Sequence, residues 1–176
     1  MEITDEIWNT ICTCFAGAME SSFHCTVASI GEDGAPRATP IGSLMLGSDR
    51  KGFYFEEYSR GLAKNLRTNK RVCVLAVNTS KRLWFKMLLF GEFTETFAVR
   101  LMGSAGEKRG ATDEEIALFR ERVSSYRMLK GHDMLWGNLT QVRDITFDSF
   151  EPVQIGTLGA SANTGSNRRD ESSSIS

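Results

Sequence analysis

The chain has almost no net charge: 21 Lys and Arg against 22 Asp and Glu leave a formal charge of -1 over 176 residues. That balance gives no global positive field to gather the phosphates of DNA or RNA, so no nucleic-acid partner is expected. Histidine is also scarce. With 2 His, His24 and His132, far apart in sequence, a zinc site would have to find most of its roughly four converging ligands elsewhere, and structural or surface histidines are the simpler reading. The 4 cysteines, Cys12, Cys14, Cys25 and Cys73, form no CxxC and no framework of a short secreted domain, which leaves them as reduced core thiols. No apolar run reaches the ~18 residues of a membrane span, and Met1 to Glu6 is polar and acidic where a signal peptide would be basic and then apolar. A soluble cytoplasmic protein is expected. Neither GxGxxG nor GxxxxGK[ST] occurs, so dinucleotide and P-loop readings lose their main support. Ser22, Ser43 and Ser59 lack a G-x-S-x-G context, and no internal repeat is visible.

What remains is an ordinary globular composition, 41% apolar and 24% charged, enough for one domain with a sizeable core. Ile7, Trp8, Ile11, Cys12, Phe15 and Met19 recur at helical spacing after a Thr4 N-cap, with Asp5 and Glu6 near the positive end of the helix. From His24 to Asn78 the period changes. Cys25 to Ile30 and Ala35 to Met45 flank Glu32-Asp33-Gly34 and read as a hairpin, because Asp-Gly tolerates the positive φ that tight turns require. Gly47-Ser48-Asp49 marks another turn. Phe53-Tyr54-Phe55 and Val72 to Val77 are strand material, the latter apolar throughout as for a strand buried on both faces. A short helix, about Arg60 to Asn69, separates them.

Leu83 to Phe90 and Thr94 to Ala105 are expected to be strands joined at Gly91 and Glu92. Thr112-x-x-Glu115 is a capping box ahead of a helix to about Met128, and Val142 to Phe150 returns to strand. Beyond Gly156 the composition is Ser, Gly, Asn and charge, so residues 1–156 are expected to form the domain and Thr157 to Ser176 a disordered tail. About six short antiparallel strands with a front helix, a mid-chain helix and a late one argue for a mainly β, Greek-key barrel with flanking helices. Glu56-Glu57 and Asp113-Glu114-Glu115 do not form a glycosidase pair: strand neighbours point to opposite faces, and the second group begins a helix.

The chemistry is sought around Ser59. As an N-cap it would leave the first free backbone N–H groups, at Arg60 to Leu62, as an anion site. Arg60 and Lys64, four residues apart, share a helix face, and Arg67 follows three further on. Directed N–H donors with two cations suit a phosphate monoester. On spacing alone, the same residues read more readily as the solvated face of an amphipathic helix.

The pieces Gly34-Ala35-Pro36-Arg37-Ala38-Thr39-Pro40, Gly52-Phe53-Tyr54-Phe55, Tyr58-Ser59-Arg60-Gly61-Leu62-Ala63-Lys64-Asn65-Leu66-Arg67-Thr68-Asn69 and Arg71-Val72-Cys73-Val74 occur in this order. Together they resemble the flavin-binding core of pyridoxamine 5'-phosphate oxidase-related proteins, and Gly131 to Gly137 with Val142-Arg143-Asp144 looks like a C-terminal feature of one branch of that group. The resemblance implies a split β-barrel binding FMN across a homodimer interface. It places Arg37, Thr39, Pro40 and Ile41 beside the flavin ring, and Ser59, Arg60, Lys64 and, one residue out of the commonest spacing, Asn65 at the phosphate. Trp136 or Trp84 is a candidate cover for the ring, or simply a core or interface tryptophan. The implied activity is two-electron oxidation or reduction of a small molecule, with a non-catalytic flavin or haem module of the same fold as the alternative.

Overall fold

The first helix, α1 (Asp5–Ser22), begins where the sequence places it: Thr4 Oγ1 accepts the Ile7 N–H at 3.3 Å, with Asp5 and Glu6 in the first turn. Phe23, at φ 62, closes it, its N–H donating to Met19 O at 3.0 Å. The computed structural model describes residues 3–90, 96–126 and 139–153. Within them lie β1 (Cys25–Ile30), β2 (Pro36–Ile41), β3 (Met45–Leu46), β4 (Lys51–Phe55), α2 (Arg60–Thr68), β5 (Arg71–Val77), α3 (Lys81–Phe90), β6 (Ala98–Gly110), α4 (Asp113–Arg122) and β7 (Gln141–Pro152). The expected tail and Trp136 fall outside the described residues.

The strands form one 7-stranded sheet in the order β2-β1-β5-β6-β7-β4-β3, with every pairing antiparallel. The strand expectations are corrected at several points. Leu83 to Phe90 is helical, because an apolar run broken only by Lys86 has no decisive period and α3 buries Leu83 with Phe97 and Ala98. The expected strand from Ala35 to Met45 splits into β2 and β3, which lie at opposite edges of the sheet. β6 starts later than expected, at Ala98, and runs on through Gly110. β5 is covered unequally: Val72, Val74 and Ala76 are buried, and Cys73, Leu75 and Val77 are half-buried. The helix expected to reach Met128 ends at Arg122.

α1 covers one face of the sheet, burying Trp8, Ile11, Phe15, Ala18 and Met19 in a core that includes Val27, Val74, Leu101 and Ile145. Phe119 and Val123 pack with Phe55 and Val142 in a second cluster. The long β6–β7 ribbon bends at irregularities after Met102 and Ala105. At Gly103 the strands approach so closely that a Cβ would lie 2.4 Å from Thr146 O, which excludes any side chain there.

The capping box of α4 is present in full: Thr112 Oγ1 accepts the Glu115 N–H at 3.2 Å, and Glu115 Oε2 accepts the Thr112 N–H at 2.9 Å. Arg109 joins the same carboxylate at 2.6 Å and Asp144 at 2.6 Å. Hydrogen bonds from Arg109 hold the Glu115 carboxyl below its ordinary 4.5. A carboxyl depressed in the folded state stabilises the fold above its unfolded pKa, and that contribution fades as the pH falls through the folded value. Glu115→Gln is therefore expected to cost up to about 1 kcal/mol at neutral pH. In urea titrations the gap from wild type should close below pH 4.5; a gap that ignores pH would refute the assignment.

Candidate functional site

β2 is an edge strand, and its phase against β1 can be worked out. Gly31 N–H donates to Ala35 O at 2.8 Å, and the pairing continues as Ser29 with Arg37, Val27 with Thr39 and Cys25 with Ile41. Hydrogen-bonded pairs alternate in an antiparallel ladder, so the backbones of Arg37, Thr39 and Ile41 face β1 while those of Pro36, Ala38 and Pro40 face outward. Proline has no N–H, so the outward edge of β2 presents one donor, at Ala38, among three carbonyls. The two prolines also block a further strand from adding here.

Beside this edge, α2 and the β1–β2 turn enclose a groove of about 550 Å³, lined by Gly31 to Asp33, Arg37 to Thr39, Gly61, Lys64 and Asn65. The turn is the Asp-Gly type read from the sequence: Gly34 has φ +77, and Asp33 Oδ1 accepts the Ala35 N–H at 3.1 Å. Helix α2 is fixed to the sheet by Asn65, whose buried Nδ2 donates to the equally buried Ser29 Oγ at 2.9 Å. That bond aims Lys64, the preceding residue, at the turn. Lys64 Nζ lies 2.9 Å from Glu32, and Arg37 lies 2.6 Å from Asp33. The Ala35 N–H and, secondarily, Arg37 hold the Asp33 carboxyl below the usual range.

Of the residues singled out in the sequence, Arg37, Thr39, Lys64 and Asn65 meet in this groove. Pro40 is exposed on the outward edge, and Ile41 is buried in the core with its backbone toward β1. Arg60 lines a different cavity of about 670 Å³, with Glu57, Arg67, Lys70 and Lys108, so the i, i+4 spacing to Lys64 does not bring the two cations into one pocket. Ser59 corrects a sequence expectation: its side chain makes no capping bond, and Oγ is buried without a hydrogen-bond partner among the described residues. Glu32 and Asp33 are functional candidates that the sequence reading treated only as turn residues. The signal was there, because a hairpin tip that precedes an edge strand has its acids within reach of that strand's cations.

One feature of the groove leaves room for a phosphorylated ligand. Gly61 sits in the first turn of α2, where glycine costs roughly 1 kcal/mol relative to alanine. A Cβ there would meet nothing within 4 Å, so the protein itself does not require the gap. Groove, outward donor and the two cations that line the groove match the shape and charge of a flat heterocycle ending in a phosphate.

A family model for pyridoxamine 5'-phosphate oxidase matches residues 15–146. The chain belongs to the pyridoxamine 5'-phosphate oxidase family. The mainly antiparallel split-barrel class read from the sequence therefore stands, with 7 strands in place of about six. No curated protein matches the chain by sequence. Among solved structures, HupZ from Group A Streptococcus shares the fold at 16% identity and a TM-score of 0.53, covering 86% of this chain and 94% of its own. An FMN-binding protein from Syntrophomonas wolfei does so at 9% identity and TM-score 0.55, covering 84% and 88%. An F420 reductase matches at 10% identity and TM-score 0.51, covering 78% and 95%. At these identities the likeness is one of fold. Among the described residues no helix is long and apolar enough to cross a membrane.

Proposed function

We propose that this member of the pyridoxamine 5'-phosphate oxidase family binds FMN in the groove along β2, as a homodimer, and serves as an oxidoreductase for a small molecule. The observation that carries the reading is that Arg37 and Lys64 line one groove whose wall at Gly61 leaves open space. An FMN-binding protein of the same fold supports it. When bound, the flavin supplies two-electron hydride chemistry. The chain supplies position. Lys64 and Arg37 hold the phosphate by charge-assisted bonds, Asn65 keeps α2 at the right height through Ser29, and the Ala38 N–H with its flanking carbonyls orients the polar edge of the ring. No side chain of the groove is assigned as a proton donor or acceptor to the substrate.

Titration of the purified chain with FMN and with riboflavin, followed by quenching of flavin fluorescence, tests the cofactor. FMN should bind at least about tenfold more tightly, since riboflavin lacks the phosphate that the cations would hold. A native mass spectrum should show one FMN per subunit in a dimer. Failure of FMN to bind would sink the reading, and tight binding without turnover of a nicotinamide donor would retain the cofactor and remove the oxidoreductase.

The ion pairs to Glu32 and Asp33 compete with phosphate for the same cations. Glu32→Gln frees Lys64 and is expected to tighten FMN binding by a few-fold, the size of an exposed ion pair. Weaker binding in that variant would assign Glu32 to the cofactor instead.

A further inference from the structure

Past the other end of β2, the chain encloses a third cavity, of about 460 Å³, separate from the groove along β2. The size falls within the roughly 300–1,000 Å³ of small-molecule pockets. Its walls are largely apolar: Phe15 and Met19 from α1, Leu44 and Leu46 around β3, and Val123 after α4. The cation in that wall is Arg122. Its Nη1 donates to Leu44 O at 2.7 Å, its Nη2 donates to Gly42 O, and the guanidinium lies 4.9 Å from the centroid of the Phe119 ring. These partners are two carbonyl dipoles and an aromatic face, and none carries a charge. Among the described residues Arg122 makes no ion pair, and the carboxylate in the lining, Glu20, is exposed to solvent.

Two carbonyls occupy only part of a guanidinium's roughly five N–H donors. Arg122 is half-buried, and its remaining N–H donors have no charged partner among the described residues, while burial pulls its pKa down to about 10. We propose that this cavity binds a small organic anion, a carboxylate or sulfonate on an apolar body, with its head on Arg122 and its body against Phe15, Met19 and Leu44. The apolar walls select the body and the single cation selects the charge. The site stands on this cavity alone and does not depend on the flavin groove.

The probe is 8-anilinonaphthalene-1-sulfonate bound to the full chain, with octanoate, octanol and octylamine as competitors of equal chain length. Octanoate is expected to displace the probe at a concentration at least about tenfold below octanol, as a charge-assisted bond requires, and octylamine should fail. Ala16→Trp fills the cavity from an exposed position on α1 and should abolish probe binding with the melting temperature unchanged. Arg122→Gln should bring octanoate down to the level of octanol. Equal displacement by octanoate and octanol, or probe binding that survives Ala16→Trp, would overturn the proposal. The competitor series is read on the wild-type chain, so the outcome stands even if Arg122→Gln fails to fold.

Discussion

Arg143→Met is expected to remove about 3–5 kcal/mol of folding stability, the cost of leaving a buried charge without its partner. Arg143 on β7 and Glu56 after β4 have side chains only 7% and 3% exposed. Both ends are well satisfied. Arg143 Nε donates to Glu56 Oε2, Nη2 donates to Oε1 at 3.0 Å and Nη1 to Gly106 O at 2.6 Å, while the Tyr54 hydroxyl donates to Glu56 Oε2 at 3.1 Å. The pair thus ties the end of β4 to the bent part of the β6–β7 ribbon. Methionine keeps much of the stem volume but leaves the Glu56 carboxylate with Tyr54 as its remaining side-chain donor. Against a typical total of roughly 5–15 kcal/mol the loss is large. The double variant Glu56→Gln with Arg143→Met should recover much of it, because removing both charges leaves neither stranded. Urea midpoints of the two variants provide the check. A single variant within about 1 kcal/mol of wild type would mean that water reaches the pair.

The second large effect concerns the cofactor. Lys64→Ala and Arg37→Ala should each weaken FMN binding by about 10- to 100-fold, as expected for a lost hydrogen bond to a charged group worth about 1.5–3 kcal/mol. Riboflavin binding should change far less in the same variants, which separates loss of the phosphate grip from collapse of the groove. Arg60→Ala is the internal comparison. Arg60 opens onto the other cavity, so its removal should leave FMN affinity within a few-fold of wild type. If Arg60→Ala proves as damaging as Lys64→Ala, the phosphate lies at the start of α2 and not between α2 and the hairpin.

Features whose physics is local were legible in the sequence. The Thr4 cap, the Asp33-Gly34 turn and the Thr112 to Glu115 capping box are each decided within about four residues, where side chain and backbone meet regardless of the rest of the fold. α3 escaped the same reading because its apolar residues fit either period. The choice is made by contacts of Leu83 with Phe97 and Ala98 at the start of β6, more than ten residues further along the chain. Ser59 shows the limit from the other side: its type favours a cap, but its backbone, at φ -93 and ψ 52, makes no capping bond.

The sequence by itself determined the fold class, the order of most elements and the residue types that suit a phosphorylated cofactor. Which of those residues share a cavity was decided only in three dimensions. Lys64 faces the hairpin because Asn65 bonds Ser29 across 36 residues of chain, and Arg143 finds Glu56 across 87. Spacing along a helix defines which side chains are neighbours on its surface. The direction that surface faces is set by packing against strands far away in the chain.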